Sequence, residues 1–332
     1  MPPARLAGAV SGATGRARAA LVTTLRGAAP VLDSFLRYHL ALGFAHIHLF
    51  FDDADDPGIV VARGIRDDRI IVTVRGPELE NAWRQCVQFG YFAAHLGTEV
   101  MSRQCLNVEV AVQWALARGD EWLLHIDADE LFYCPGQDAP THFSGLDAQH
   151  IERAVYPNLE ALSERFDLDD ALREVTLFKT NRNTLPQGRF TPAQAALAAR
   201  HPQFPPTFFL FYSNGKSAAR VRPGLVPDGV HRFSAGTYLQ SGQSTPPSPP
   251  EAQGEQVIGD CRILHFACCG YSSFVDKYRI LCRFDDRWFG RVDIRQSIGE
   301  FHLAARDAVA SGDESRAQRF YREHAMLDDM AA

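Results

Sequence analysis

The sequence predicts an α/β protein: a single large domain built on a mostly parallel sheet flanked by helices, with a helical extension at its C-terminal end. Three observations predict it. Short apolar runs alternate with helix-patterned segments through the first half of the chain. Those runs are apolar at consecutive positions, as expected of strands covered on both faces. Two of them break off abruptly into carboxylates, and ligands of open α/β sheets bind beyond the carboxyl ends of the strands.

Residues 20–25 (Ala-Leu-Val-Thr-Thr-Leu) read as the first buried strand. Leu32, Phe35, Leu36 and His39 then recur at i, i+3, i+4 and i+7, one face of a helix that Gly43 closes. Residues 46–51 form a second strand that runs into Asp52-Asp53, and residues 70–74 a third. A long helix fits 103–118, with Leu106, Val110, Trp114 and Ala117 as its buried stripe and Gly119 as its end. Residues 122–126 follow as a strand without alternation, hence central, and it ends in Asp127, Asp129 and Glu130.

The second half is less regular. The spacing of Leu159, Leu162 and Phe166 predicts a helix, followed by a strand at 174–178, a loop-rich stretch at 184–207 and a strand at 207–212. Residues 240–256 (QSGQSTPPSPPEAQGEQ) are of low complexity and read as a mobile loop. A strand at 262–266 and helices at 273–283 and 298–310 complete the pattern. The expected organisation is a flexible N-terminus (1–18), a first half ending in the carboxylates (19–134), a second half (135–310) and a tail (311–332).

A chain of 332 residues with 46% hydrophobic content can bury a sizeable core. Its net charge of -6 argues against nucleic acid as the main partner. The seven cysteines, at 86, 105, 134, 261, 268, 269 and 282, include no Cys-x-x-Cys pair and read as reduced, mostly buried thiols. No apolar run approaches the roughly 18 residues of a membrane span. Residues 1–20 carry Arg5, Arg16 and Arg18 but no secretory apolar core. The cytoplasm is the default compartment, with the Golgi or another organelle left open.

Asp127-Ala128-Asp129 at a strand end is the strongest chemical signal. Alternate carboxylates there can share a hard divalent cation, Mn²⁺ or Mg²⁺, directly or through water, and a nucleotide diphosphate would fill further positions. The plainer reading is a strand-end cap. The stretch Trp122-Leu-Leu-His-Ile-Asp-Ala-Asp-Glu-Leu-Phe resembles the W-hydrophobic-D-x-D-E-F core of GT-A (Rossmann-like) glycosyltransferases, nearest the family 92-like group and the family 2-type enzymes. The run from Phe35 through Tyr38-His39, Leu42-Gly43 and Phe50-Phe51-Asp52-Asp53 resembles a second signature of that group, and Arg103-Gln104 with Asn107 resembles its R-Q-x-x-x-N element. Gly215-Lys216-Ser217, His231, His265-Phe266 and Lys277 follow in the group's order.

The resemblance implies a nucleotide-sugar donor, UDP-linked by first expectation, and a carbohydrate or other hydroxyl acceptor. It implies that Asp52, Arg103, Asn107, Asp127, Lys216 and Lys277 contact the donor, that Asp127, Asp129 and His265 hold the metal, and that Glu130 orients the loop. It also implies inversion, which needs a general base. Asp228 is the choice for that base, with Asp285 and Glu174 competing.

Two departures stand out. The place after the first strand reads Thr24-Leu25-Arg26-Gly27 rather than a Lys-Asn-Glu-like run, and the second strand is followed by five residues rich in Asp. Read alone, His265 is equally a buried strand histidine, Lys216 a solvated surface charge, His39 a satisfied core histidine and the 208–212 aromatic run a piece of core. A nucleotidyltransferase on a related sheet and a donor-binding protein without turnover are the competing functions. The first normally shows a glycine-rich phosphate loop, which residues 25–30 lack.

Overall fold

The computed structural model describes residues 16–181, 209–235, 255–281, 286–289, 292–294 and 300–327. Most of the expected N-terminal stretch, the loop-rich segment 184–207, residues 240–254 and Asp285 lie outside the described residues.

Four parallel strands carry the fold: β1 (Ala19–Leu25), β2 (His46–Phe51), β3 (Ile70–Val74) and β4 (Trp122–His125). Every residue of β4 is buried, which is why its sequence shows no alternation. The sheet continues through β9 (Lys216–Arg220), β6 (Arg153–Tyr156) and β12 (Glu255–Val257), in the order β12-β6-β9-β4-β1-β2-β3. As expected, β4 lies at the centre. Of the seven described strands only β9 opposes the common direction, pairing antiparallel with both β4 and β6.

Alternate side chains of β1 feed two cores, as the period of a strand dictates. Leu21 and Leu25 pack with Leu32, Phe35 and Leu36 of α1 (Ala29–Ala41). Ala20 and Val22 pack on the other face with Leu106 and Val110 of α5 (Val100–Arg118). Gly119, at φ +71°, caps α5 in the left-handed region that glycine adopts without a Cβ clash. The shorter helices α2 (Gly58–Gly64), α3 (Pro77–Arg84) and α4 (Phe89–Phe92) bridge β2 to α5. His39 is a satisfied core histidine: Nδ1–H donates to the Phe35 carbonyl (2.8 Å), and Nε2 accepts the Phe132 N–H (3.2 Å).

A second sheet, ordered β5-β13-β7-β8, comprises β5 (Glu130–Tyr133), β13 (Arg262–His265), β7 (Asn158–Ala161) and β8 (Phe178–Lys179). The second half of the chain corrects four expectations. The 159–166 segment is not helical: Asn158–Ala161 alternates between buried and half-buried positions and pairs with β13 and β8. Residues 171–174 form the short helix α7 (Ala171–Glu174), and the strand begins only at Phe178. Phe209–Tyr212 is irregular rather than a strand, and Glu255 and Gln256, placed in the mobile loop, belong to β12.

The cysteine expectation also needs correction. The sulfurs of Cys134 and Cys261 lie at bonding distance, with Cα atoms 4.4 Å apart, and form a disulfide between the ends of β5 and β13. Cys86, Cys105, Cys268 and Cys269 are free and buried, as expected. After β5 comes α6 (Ala139–Ala148), whose N-cap Asp138 accepts the Thr141 N–H. A hairpin, β10 (Leu225–Asp228) with β11 (Arg232–Ala235), follows β9. The helical extension is α8 (Tyr271–Leu281), α9 (Phe301–Ala310) and α10 (Glu314–His324), packed around Phe274, Tyr278, Phe301 and Tyr321. Among the described residues, no helix is long and apolar enough to cross a membrane.

Candidate active site at the carboxyl edge of the sheet

Because β1 to β4 run in one direction, their carboxyl ends share an edge. After β4 the chain turns tightly, with the Glu130 N–H donating to the Asp127 carbonyl (3.1 Å). Glu130 locks this turn. Its Oε2 accepts the Asp127 N–H (2.7 Å), its Oε1 accepts the Tyr212 hydroxyl, and it is fully buried. Burial pushes its carboxyl up to about 8, against the pull of Lys216. Asp127 and Asp129 differ: about 30% of each side chain is exposed, so both face outward from the edge.

Antiparallel pairing sets the start of β9 beside the end of β4, and the Leu124–Ala218 register carries Lys216 to the Asp127 turn. Lys216 Nζ donates to Asp127 Oδ2 (2.6 Å) and to the Val230 carbonyl (3.3 Å), and lies 3.6 Å from Glu130 Oε2. Gln104 Nε2 donates to the other oxygen of Asp127 (2.5 Å). Burial works against the Asp127 charge, but the Lys216 ammonium outweighs it and holds the carboxyl below its ordinary range. The reading of Lys216 as a solvated charge is therefore overturned, because its side chain is wholly enclosed. The chain has only three lysines, and each sits on a carboxylate: Lys179 on Glu160, Lys216 on Asp127 and Lys277 on Asp129.

Lys277 reaches back from α8 to Asp129 Oδ2 (2.8 Å). The β5–β13 register sets His265 opposite Glu130 and brings its Nε2 to 3.9 Å from Asp129 Oδ2, beyond hydrogen-bond reach. His265 Nδ1 has no hydrogen-bond partner. The ring is held by packing, with Phe211 and Tyr212 at centroid distances of 5.4 and 4.8 Å. Burial pushes its pKa down to about 4 against the opposing pull of Asp129, so the imidazole is neutral at pH 7 and keeps a lone pair to offer. Asp129 stays ionised: burial opposes its charge, and Lys277 and His265 hold its pKa below the ordinary value. Asp129 and His265 are thus brought together, whereas Asp127 is engaged by Gln104 and Lys216. The three do not converge as one tight donor set: among the described residues the only group of three His, Cys, Asp or Glu donors within 4.8 Å of one another is Cys134, His142 and Cys261.

Gly215 makes the Lys216 placement possible. It has φ +71°, and a Cβ there would lie 2.2 Å from the Tyr156 carbonyl oxygen. A Gly215→Ala protein is expected to lose on the order of 2–4 kcal/mol of stability from backbone strain and overpacking. Denaturant unfolding measures that loss, and an unchanged midpoint would contradict the placement.

At the ends of β1 to β3 lies a polar cleft of about 410 Å³, lined by Arg26, Asp52, Asp53, Arg75, Glu80 and Arg103 among others. Asp52 and Arg103 form a buried ion pair (2.6 Å), and Arg75 adds a second cation at 3.4 Å. Asn107 is not presented to the cleft. It accepts the Trp83 indole N–H (2.8 Å), donates to Thr24 Oγ1 (2.9 Å) and so ties α5 to β1 and α3. Asp228 ends β10, and burial raises its pKa, with Glu255 adding to the rise and Arg232 and Arg153 opposing it. Glu174 Oε1 accepts the N–H groups of Asp169 and Asp170 and serves its local turn. His231 Nδ1 bonds the Gly215 carbonyl (2.9 Å). Sequence reasoning missed Tyr212, which lies in an apolar run assigned to core, and passed over Gln104, which its own quoted R-Q-x-x-x-N element contains.

No family model matches the chain. A glycosyltransferase-like protein of Arabidopsis thaliana is 26% identical over 308 residues, covering 89% of this chain and 55% of that protein. A second Arabidopsis protein of the same description is 30% identical over 216 residues, covering 59% of this chain and 44% of that protein. The chain thus spans about half the length of the curated relatives it matches. Solved structures are matched weakly. Core-mannan synthase A of Aspergillus fumigatus, in an Mn/GDP form, is 10% identical with a TM-score of 0.27, over 64% of this chain and 61% of that one. Mouse xyloside xylosyltransferase 1 is 10% identical with a TM-score of 0.29, over 62% and 67%. Likeness at that level adds nothing to the site.

Proposed function

We propose that this chain is a GT-A-type glycosyltransferase that moves a sugar from a nucleotide diphosphate donor, UDP-linked in the first instance, to a hydroxyl acceptor with inversion. The carrying observation is the meeting of Asp129 and His265 Nε2, 3.9 Å apart, on the same sheet edge as the polar cleft. The glycosyltransferase-like relatives support the same reading. The partly exposed carboxylate suits a hard divalent cation, Mn²⁺ or Mg²⁺, and an imidazole beside it favours Mn²⁺ of the two. Asp129 and His265 would hold that ion, with Asp127 reaching it through water; when bound, it supplies Lewis-acid stabilisation of the departing diphosphate.

The chain's own groups do the rest. Asp52, Arg26 and Arg75 select the nucleoside in the cleft, and Arg103 holds Asp52 in place. Lys216 and Lys277 add positive charge where the diphosphate's negative charge grows. The acceptor hydroxyl attacks the anomeric carbon, the carbon–oxygen bond to the diphosphate breaks with its electron pair, and the hydroxyl proton passes to a carboxylate. Asp228 is proposed as that base, since a raised pKa suits proton acceptance near neutral pH.

The lysine pairs carry a second reading. If both ammonium groups stay on the aspartates, the site binds donor without turnover. Calorimetry with UDP and Mn²⁺ beside a nucleotide-sugar hydrolysis screen separates the two. Metal-dependent binding with sugar release is the expected result. Binding without release selects the second reading, and pyrophosphate release from a nucleoside triphosphate would overturn both.

A further inference from the structure

The cysteine–histidine cluster lies outside the chemistry above. Cys134 and Cys261 sit at the ends of β5 and β13 away from Asp129 and His265, five residues along the strand or roughly 16 Å from Asp129. His142 of α6 points its Nδ1 at both sulfurs, 3.5 Å from Cys134 Sγ and 3.6 Å from Cys261 Sγ. All three residues are buried. Beside a disulfide the imidazole can make only a weak Nδ1–H bond to sulfur, whereas beside two thiolates the same Nδ1 can offer its lone pair to an ion held between the sulfurs. The other ring nitrogen, Nε2, is 2.9 Å from the hydroxyl of Tyr156, which is itself buried.

We propose that Cys134, His142 and Cys261 are the ligands of a second metal centre, one for a thiophilic d¹⁰ cation, that forms when the disulfide is reduced. The donor set is two thiolates and a neutral imidazole, which selects Zn²⁺ or Cu⁺ and rejects oxygen-seeking Mg²⁺ and Mn²⁺. The geometry fits. Bonds of about 2.3 Å to sulfur and 2.05 Å to nitrogen at a tetrahedral angle set the two donors about 3.6 Å apart, as both sulfur–nitrogen distances here are. A ligating histidine gives its remaining N–H to an oxygen, and Tyr156 stands where that acceptor is needed.

The chemistry balances. A thiol reductant delivers two electrons and two protons to the sulfur–sulfur bond and leaves as its own disulfide. Binding then releases the two thiol protons to solvent as the sulfurs part and each bonds the ion. His142 gives up none, because it ligates as the neutral imidazole and keeps its remaining N–H for the Tyr156 oxygen. The ion would take over from the disulfide the task of fixing β5 against β13, and so the register that sets His265 beside Asp129.

The test is metal uptake by the intact chain reduced with a phosphine and offered Zn²⁺, Cu⁺ or Co²⁺ in excess Mg²⁺. The expected result is one tightly held ion per chain, and Co²⁺ should give the absorption of thiolate-to-metal charge transfer. Zn²⁺ against Cu⁺ competition then names the resident ion. Cys134→Ser with Cys261→Ser should abolish uptake. Tyr156→Phe, which leaves all three ligands in place, should weaken affinity about 10- to 100-fold. A reduced wild-type chain that gives no charge-transfer band, or a double serine variant that keeps its ion, would overturn the proposal. Neither outcome touches the transferase reading, whose assay is separate.

Discussion

An Asp129→Ala protein is expected to lose turnover of nucleotide sugar by at least about 10²- to 10³-fold, the scale of one preorganised electrostatic group in a reacting site. The fold should survive, because Asp129 is about a third exposed and fills no core position. The loss does leave the Lys277 ammonium without its carboxylate. A companion Asp129→Asn protein separates the causes, because its amide oxygen still gives the Lys277 ammonium a partner. If the unpaired cation were the fault, Asp129→Asn would recover activity; if the carboxylate's charge serves the reaction, it stays inactive while Tm returns towards wild type. Near-normal turnover in Asp129→Ala, measured at saturating donor and Mn²⁺, would remove the basis of the assignment.

The second large effect is acid lability. Burial pushes His39, His48, His125 and His302 down to about 3, and His142 and His265 to about 4. Below pH 6.5 these histidines take up protons in the unfolded chain but not in the folded one. The unfolded state then binds more protons, and stability falls as pH falls. Each contributes on the order of 1 kcal/mol per pH unit, so the group together rivals the whole stability of an ordinary domain. Glu130 acts in the opposite sense: its folded pKa of about 8 keeps a proton that the unfolded chain has shed above about 4.5, so its term costs stability as pH rises towards 8. One carboxyl does not offset six imidazoles. Tm is therefore expected to drop by roughly 10 °C or more between pH 7 and pH 5.5. A flat profile over that range would mean the histidines are charged inside the fold.

Much of this was legible in the sequence, and the particular failures show why the rest was not. The strands at 46–51 and 122–126 declare themselves because an apolar run that stops dead at carboxylates marks a buried strand reaching a polar edge. The helix at 103–118 is marked by Leu106, Val110 and its terminal glycine, although Ala117, read into the same stripe, is exposed and Trp114 only half-buried. Asn158–Ala161 misleads because Leu159, Leu162 and Phe166 happen to fall at helical spacing, while its partner strand lies about a hundred residues away and exerts its pull only in three dimensions. The disulfide was hidden for the same reason, since Cys134 and Cys261 are 127 residues apart. Of the candidate site, the sequence names the two aspartates and His265, and the structure brings Asp129 and His265 to 3.9 Å of one another. That Lys216 holds Asp127 depends on a strand running against its neighbours, which no local pattern encodes.

The scarcity of lysine has a practical consequence. With Lys179, Lys216 and Lys277 all lodged against carboxylates, the described surface offers an amine-selective acylating reagent very little to mark. Lys277, a quarter exposed beside Asp129, is the side chain left within reach. Under the proposed function, its rate of acylation, read by mass spectrometry as nucleotide is titrated in, becomes an occupancy gauge that needs no engineered label.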